Sequence, residues 1–167
     1  MNQINRYEIP LAKDIMTKKV VTVSPNLMIG EVVKLFNRNK ISAAPVVNNN
    51  NKVIGLISEK DLLKELASES FHYEETPETF PATVKSKMIT EVISLTPELD
   101  VFEIVQIFSD NNLRHAPVLG YDRKLLGIIA RRDLLKALEK LIDETGEIAD
   151  AERSSKVSYW KEKFLYY

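Results

Sequence analysis

A chain of 167 residues, 44% of them hydrophobic, has material for one well-buried domain or two small ones sharing a core, which excludes disorder as its main theme. Its 23 Lys and Arg nearly cancel its 24 Asp and Glu, so no global field draws nucleic acid or an anionic membrane. The lack of cysteine removes disulfides, thiolate zinc sites and thiol nucleophiles together, and the polar stretch Met1 to Pro10 has no signal-peptide core, so a soluble cytoplasmic protein is expected.

The first predicted element is a short strand, the β-branched run Val20-Val21-Thr22-Val23, stopped by Ser24-Pro25. A helix is predicted next from the apolar stripe Leu27, Ile29, Val32, Val33 and Phe36, its start signalled by Ser24 ahead of Pro25 at the first helical position. Ala44 to Val47 and Lys52 to Ile57 then flank Asn48-Asn49-Asn50-Asn51, which reads as a hairpin with a tight turn. A second helix is predicted near Asp61, whose carboxylate suits the positive helix end. Residues 67–85 are rich in Ser, Glu, Thr and Pro and read as a linker, with His72 among acidic neighbours. The same order then begins again. Val92 to Leu95 precedes Thr96-Pro97, a stripe follows at Leu99, Phe102, Val105, Ile107 and Phe108, Gly120 to Arg123 makes the turn, and Asp133 opens the last helix. Gly146 is a predicted helix stop inside a tail, residues 142–167, that has no counterpart in the first copy and is expected to be helical.

The duplication is in strict register. Met16 and Met88, Pro25 and Pro97, Pro45 and Pro117, Gly55 and Gly127, and Asp61 and Asp133 all stand 72 residues apart, with no gap between them. The expected fold is α/β (α+β), with tandem β-α-β-β-α units over residues 11–66 and 86–141 packed about a pseudo-twofold axis, their small sheets flanked by helices. No Gly-rich phosphate loop, Gly-x-Ser-x-Gly elbow or His-Glu-x-x-His motif is present, so catalysis is not expected.

The ordered set resembles the CBS domain in its tandem form, the Bateman module. It is carried by Asp14 to Thr17, Val20 to Pro25, Ala43 to Val47 and Val53 to Leu63, and again by Met88, Val92 to Pro97, His115 to Val118 and Leu126 to Leu135. The resemblance implies a regulatory module with a cleft between the copies, filled by an adenosine-containing ligand. AMP, ADP or ATP is foremost, S-adenosylmethionine and NAD stand behind them, and no cofactor is required. Carried over by residue, one cleft would use Ser58 and Asp61 with Val92, Ile93, Arg114, His115 and Pro117. The other would use Asp133 with Val20, Val21, Ser42, Ala43 and Pro45, and Lys60 and Arg132 are the phosphate candidates.

The chemistry of these residue types fits. A carboxylate at a helix start can accept both vicinal hydroxyls of a ribose, first-turn N–H groups can meet phosphate, and an arginine offers a fixed fork of donors. The same aspartates suit a helix start with no ligand at all. Where the first copy has Ser58 the second has Ala130, which on hydroxyl count favours the Asp61 cleft. A homodimer and a separate effector protein are the expected partners, with no membrane. The basic aromatic segment Ser154 to Tyr167 is read as dimer or core packing rather than as a platform for single-stranded nucleic acid. A nucleic-acid-associated accessory protein acting through that segment and a ligand-free assembly module are the two alternatives.

Overall fold

The computed structural model describes residues 9–67 and 82–149. The first copy runs α1 (Ala12–Ile15), α2 (Ile29–Asn39), β1 (Ala43–Val47), β2 (Val53–Ser58) and α3 (Glu59–Leu66). The second runs α4 (Val84–Lys87), α5 (Val101–Asp110), β3 (His115–Leu119), β4 (Leu125–Ala130) and α6 (Arg131–Ala149). Linker residues 68–81, with His72, and the tail from residue 150, with the segment Ser154 to Tyr167, lie outside the described residues.

The hairpins form as the turn chemistry predicts. β1 pairs antiparallel with β2, Ala43 opposite Ser58 and Val46 opposite Gly55, and β3 pairs with β4 in the same register, His115 opposite Ala130 and Val118 opposite Gly127. Asn51 and Arg123 close the two turns with φ of 57° and 63°, a left-handed conformation that asparagine tolerates well. The Asn48 side chain accepts from the N–H groups of Asn50 and Lys52, fixing the turn from within.

Two predicted boundaries move. The first strand of each copy shrinks to a single parallel bridge, Val23 beside Val46 and Leu95 beside Val118. The rest of the run departs, because the Val20 N–H donates to Lys18 O and the Val92 N–H to Thr90 O, bending the chain just upstream. The following helices start at Ile29 and Val101, four residues past the prolines. Ser24 instead closes a turn with Leu27. The residue that caps α5 is Asp100, whose carboxylate accepts from the N–H groups of Phe102 and Glu103 at 2.9 Å each. Its counterpart ahead of α2 is Met28, which has no oxygen to offer.

The carbonyls of Pro25 and Pro97 are used elsewhere, because the two copies exchange their opening helices. Ala12 donates to Leu99 O, Lys13 to Pro97 O, and Val101 back to Pro10 O, so α1 lies on the second copy. Val84 donates to Leu27 O, Lys85 to Pro25 O, and Ile29 back to Ala82 O, so α4 lies on the first. Each hydrophobic core is therefore mixed. Ala12 is buried with Leu95, Val101, Ile104, Phe108, Ala116, Val118, Ile129 and Leu134, while Val84 is buried with Val23, Ile29, Val32, Phe36, Ala44, Val46, Ile57 and Leu62. An ion pair from Lys87 to Glu65 fastens α4 to α3, where the other copy has Ile15 and Ala137 in its apolar core.

Two glycines make the exchange fit. A Cβ on Gly127 would stand 2.5 Å from Met16 Sδ, and one on Gly55 would stand 2.6 Å from Met88 Sδ. Each methionine belongs to the incoming segment, so the bare backbone of the strand is what receives it. At the other end of the chain, α6 continues through the predicted stop at Gly146 to Ala149. A glycine costs a helix interior only about 1 kcal/mol, which flanking helical residues can offset.

Candidate functional site

The strand-to-helix corners of the two copies meet at the pseudo-twofold axis. Ser42 and Arg114 are equivalent positions immediately ahead of β1 and β3. In each copy this turn is clamped to its own helix start, the Glu59 N–H donating to Ser42 O and the Arg131 N–H to Arg114 O. Across the axis Ser42 Oγ lies 3.0 Å from His115 Nε2, a direct bond between the copies. The two are 73 residues apart against a repeat offset of 72, as expected of residues that flank a twofold axis.

Asp61 and Asp133 occupy the third position of α3 and α6 and fold back on the helix starts. Asp61 Oδ2 accepts from the Ser58 N–H at 2.9 Å and from the Ser58 hydroxyl at 2.6 Å. Among the described residues Asp133 Oδ2 accepts only from the Ala130 N–H, at 2.8 Å. Both carboxylates are half-buried, and in each the Oδ1 atom is left without a partner among the described residues. The reading of these aspartates as helix-start residues therefore holds, and it leaves acceptor capacity unused.

The crossing segments frame this corner. Thr17 bridges to Ile128 of β4 and Val23 to Val46 of β1, so Val20 and Val21 lie where the chain passes from one copy to the other. Ile89 bridges to Leu56 of β2 and Leu95 to Val118 of β3, which gives Val92 and Ile93 the same position in the second copy. Val20, Val21 and Val92 are half-buried and Ile93 is exposed. Pro45 and Pro117, by contrast, are fully buried, and Ala43 is nearly so. Each proline sits mid-strand, Pro45 opposite Leu56 and Pro117 opposite Ile128, on the face of its hairpin away from Ala44 and Val46 or Ala116 and Val118, whose side chains enter the two cores.

Among the cations the structure separates candidates. Arg131 donates to Leu113 O and to Asn112 Oδ1, tying α6 to the turn after α5. Lys60, Arg114 and Arg132 are exposed and make no side-chain bond to another described residue. Glu59 and Asp133 both act on His115 through their negative charge.

Burial holds the His115 imidazole below its ordinary value near 6.5, with Arg114 and Arg131 adding to the effect and Asp133 and Glu59 opposing it. An unfolded chain would thus take this proton before the folded one does. As pH falls through about 6.5, stability is lost, and the loss levels off below the folded pKa. The melting temperature of the wild type is expected to drop more between about pH 7.5 and about pH 5.5 than that of His115→Gln, which keeps a partner for Ser42 but does not titrate. An equal drop in both would remove His115 as the cause.

Among the described residues no helix is long and apolar enough to cross a membrane, and no three His, Asp or Glu side chains form a cluster that could hold a metal ion.

Comparison with known proteins agrees with this architecture. The CBS domain family model matches twice, over residues 12–68 and 84–140. An uncharacterized protein of Methanocaldococcus jannaschii, MJ1426, is 32% identical over 164 residues, covering 83% of this chain and 97% of that one. Among solved structures, the CBS domain pair of protein MJ0100, in complex with 5′-methylthioadenosine and S-adenosyl-L-methionine, superposes with a TM-score of 0.69 at 26% identity, covering 80% of this chain and 98% of that one. The CBS-domain protein ATU1752 of Agrobacterium tumefaciens gives 0.66 at 28% identity, covering 77% and 98%. With two matched copies in tandem, mutually exchanged and joined at one axis, the chain belongs to the CBS domain family as a CBS pair.

Proposed function

We propose that this CBS pair is a regulatory module that binds an adenosine-containing ligand, AMP, ADP or ATP, between its copies and transmits occupancy to a partner protein. The observation that carries the reading is the corner at the axis, where two half-buried carboxylates with unused acceptor capacity flank an inter-copy bond. Asp61 and Asp133 would accept ribose hydroxyls, Val20, Val21, Val92 and Ile93 would face the base, and Lys60, Arg114 and Arg132 would meet phosphate. The adenosine derivatives bound by the MJ0100 pair support the ligand class.

The chemistry proposed is recognition rather than catalysis. A ligand that touches both copies favours the arrangement in which it binds better, and that differential affinity is the whole of the signal. Equivalent leucines left exposed on the outer helices, Leu63 on α3 and Leu135 on α6, support a second copy of this chain as one partner, because a self-complementary face needs matched patches.

The test is thermal. A nucleotide at a hundredfold excess over its dissociation constant is expected to add about 2.7 kcal/mol to unfolding. The double variant Asp61→Ala, Asp133→Ala is expected to lose that shift, from an unliganded melting point lowered by about 1 kcal/mol for each helix-start bond removed. A chain whose melting is unmoved by AMP, ADP, ATP and S-adenosylmethionine is not such a sensor.

A further inference from the structure

The two clefts differ in how much of their carboxylate is already spent. A carboxylate has about four acceptor sites, two on each oxygen. In the first copy Asp61 Oδ2 holds both the N–H and the hydroxyl of Ser58, which fills that oxygen. An incoming vicinal diol can place one hydroxyl on Oδ1. The other must crowd onto the same atom or turn to the neutral Ser58 oxygen, and a bond to a neutral acceptor is about half as strong as one to an ionised group. In the second copy Ala130 has no hydroxyl, and among the described residues Asp133 Oδ2 holds only a backbone N–H. One hydroxyl on each oxygen, both charge-assisted, is available there.

Resting on the functional reading above, we infer that the Asp133 cleft is the high-affinity site for the ribose diol, and that Ser58 is the residue that weakens the Asp61 cleft by occupying its carboxylate. Counting hydroxyls alone gives the reverse order, since it treats Ser58 as an additional ligand contact. The geometry makes Ser58 the internal partner of Asp61, and the ligand competes with it. The mismatch between Ser58 and Ala130 then sets a difference in affinity between two otherwise equivalent corners.

The copies supply their own controls. Ser58→Ala installs in the first copy what the second has, and Ala130→Ser does the opposite, so each replacement is one that this backbone already carries at the equivalent place. Isothermal titration of the full chain with AMP is expected to show a tight and a weak site, the tight one lost in Asp133→Ala and the weak one lost in Asp61→Ala. Ser58→Ala is expected to tighten the weak site about tenfold, the value of one charge-assisted hydrogen bond, and Ala130→Ser to loosen the tight site by a similar factor. 2′-Deoxy-AMP, which lacks one of the two hydroxyls, is expected to lose more affinity at the Asp133 cleft than at the Asp61 cleft. Weakening by Ser58→Ala, or loss of the tight site in Asp61→Ala, overturns the inference while leaving nucleotide binding in place. No binding of AMP, ADP, ATP or S-adenosylmethionine by the wild type overturns the functional reading itself, and this inference with it.

Discussion

Ala12→Asp is expected to stop the chain from folding. Ala12 belongs by sequence to the first copy, yet it is fully buried in the core of the second, among Val101, Ile104 and Leu134, with its N–H bonded to Leu99 O at 2.8 Å. No cation stands among the buried residues of that core to pair with a carboxylate. Burying an unpaired charge costs several kcal/mol even after relaxation, against a total stability of about 5–15 kcal/mol for a domain of this kind. Circular dichroism of the variant is expected to lose cooperative melting. Lys13→Asp, one residue on and exposed, is expected to melt within about 0.5 kcal/mol of wild type. A gentler replacement tells where the damage goes. Ala12→Gly is expected to speed amide exchange in α5, β3 and β4 while α2, β1 and β2 keep their protection. Loosening confined to the first copy would mean that α1 packs at home and that the exchange is wrong.

That exchange is the part of the fold the sequence hides. The hairpins and the aspartates at the helix starts are legible because they rest on local rules: turn residues between alternating strands, and a carboxylate near free N–H groups. Register between the copies is legible from the fixed offset of Pro45 and Pro117 or Gly55 and Gly127. What fills the space over each sheet is not local. Ala12 and Val84 look alike whether they close their own copy or the other, and only their carbonyl partners, Leu99 and Leu27, decide it. The prolines mislead for the same reason. Ser24-Pro25 carries a helix-start signal that four further residues override, because Pro25 O is required by Lys85 of the opposite copy.

The site divides along the same line. The expectation that Asp61 and Asp133 stand at helix starts needs only the chain on either side of them, and the structure has both there. That Ser42 and His115 touch could be had from the repeat once an axis is drawn between the copies, since near-equivalent residues face one another across it. That Ser58 would spend its hydroxyl on Asp61 could not, because Ser-x-x-Asp is compatible both with a ligand contact and with an internal bond, and only side-chain geometry separates them. The resemblance assigns Pro45 and Pro117 to the cleft, and the strand register sets both on the face opposite the core residues Ala44, Val46, Ala116 and Val118.

The close approaches at Gly127 and Gly55 give the exchange an energetic test. A Cβ at residue 127 would lie 2.7 Å from Met16 Cγ and 3.0 Å from Met16 Cβ as well as against the sulfur, so the methionine cannot clear it by swinging its tip alone. Gly127→Ala is expected to cost about 1–3 kcal/mol, the range for forcing an extra methyl into a packed interior. If the clash is the cause, shortening the intruder relieves it. Met16→Ala alone loses methionine packing, but in the Gly127→Ala background part of the alanine penalty is expected to vanish, with an interaction energy of about 1 kcal/mol or more in a double-mutant cycle. Met88→Ala gives the control, because Met88 faces Gly55 rather than Gly127. It is expected to add its own cost to Gly127→Ala without coupling, and to couple instead to Gly55→Ala, where the carbonyl of Ile89 at 3.0 Å leaves some strain unrelieved. Cross-coupling of Met16 with Gly127 and of Met88 with Gly55 is the pattern that only exchanged arms produce, since in unexchanged copies Met16 would face Gly55 and Met88 would face Gly127.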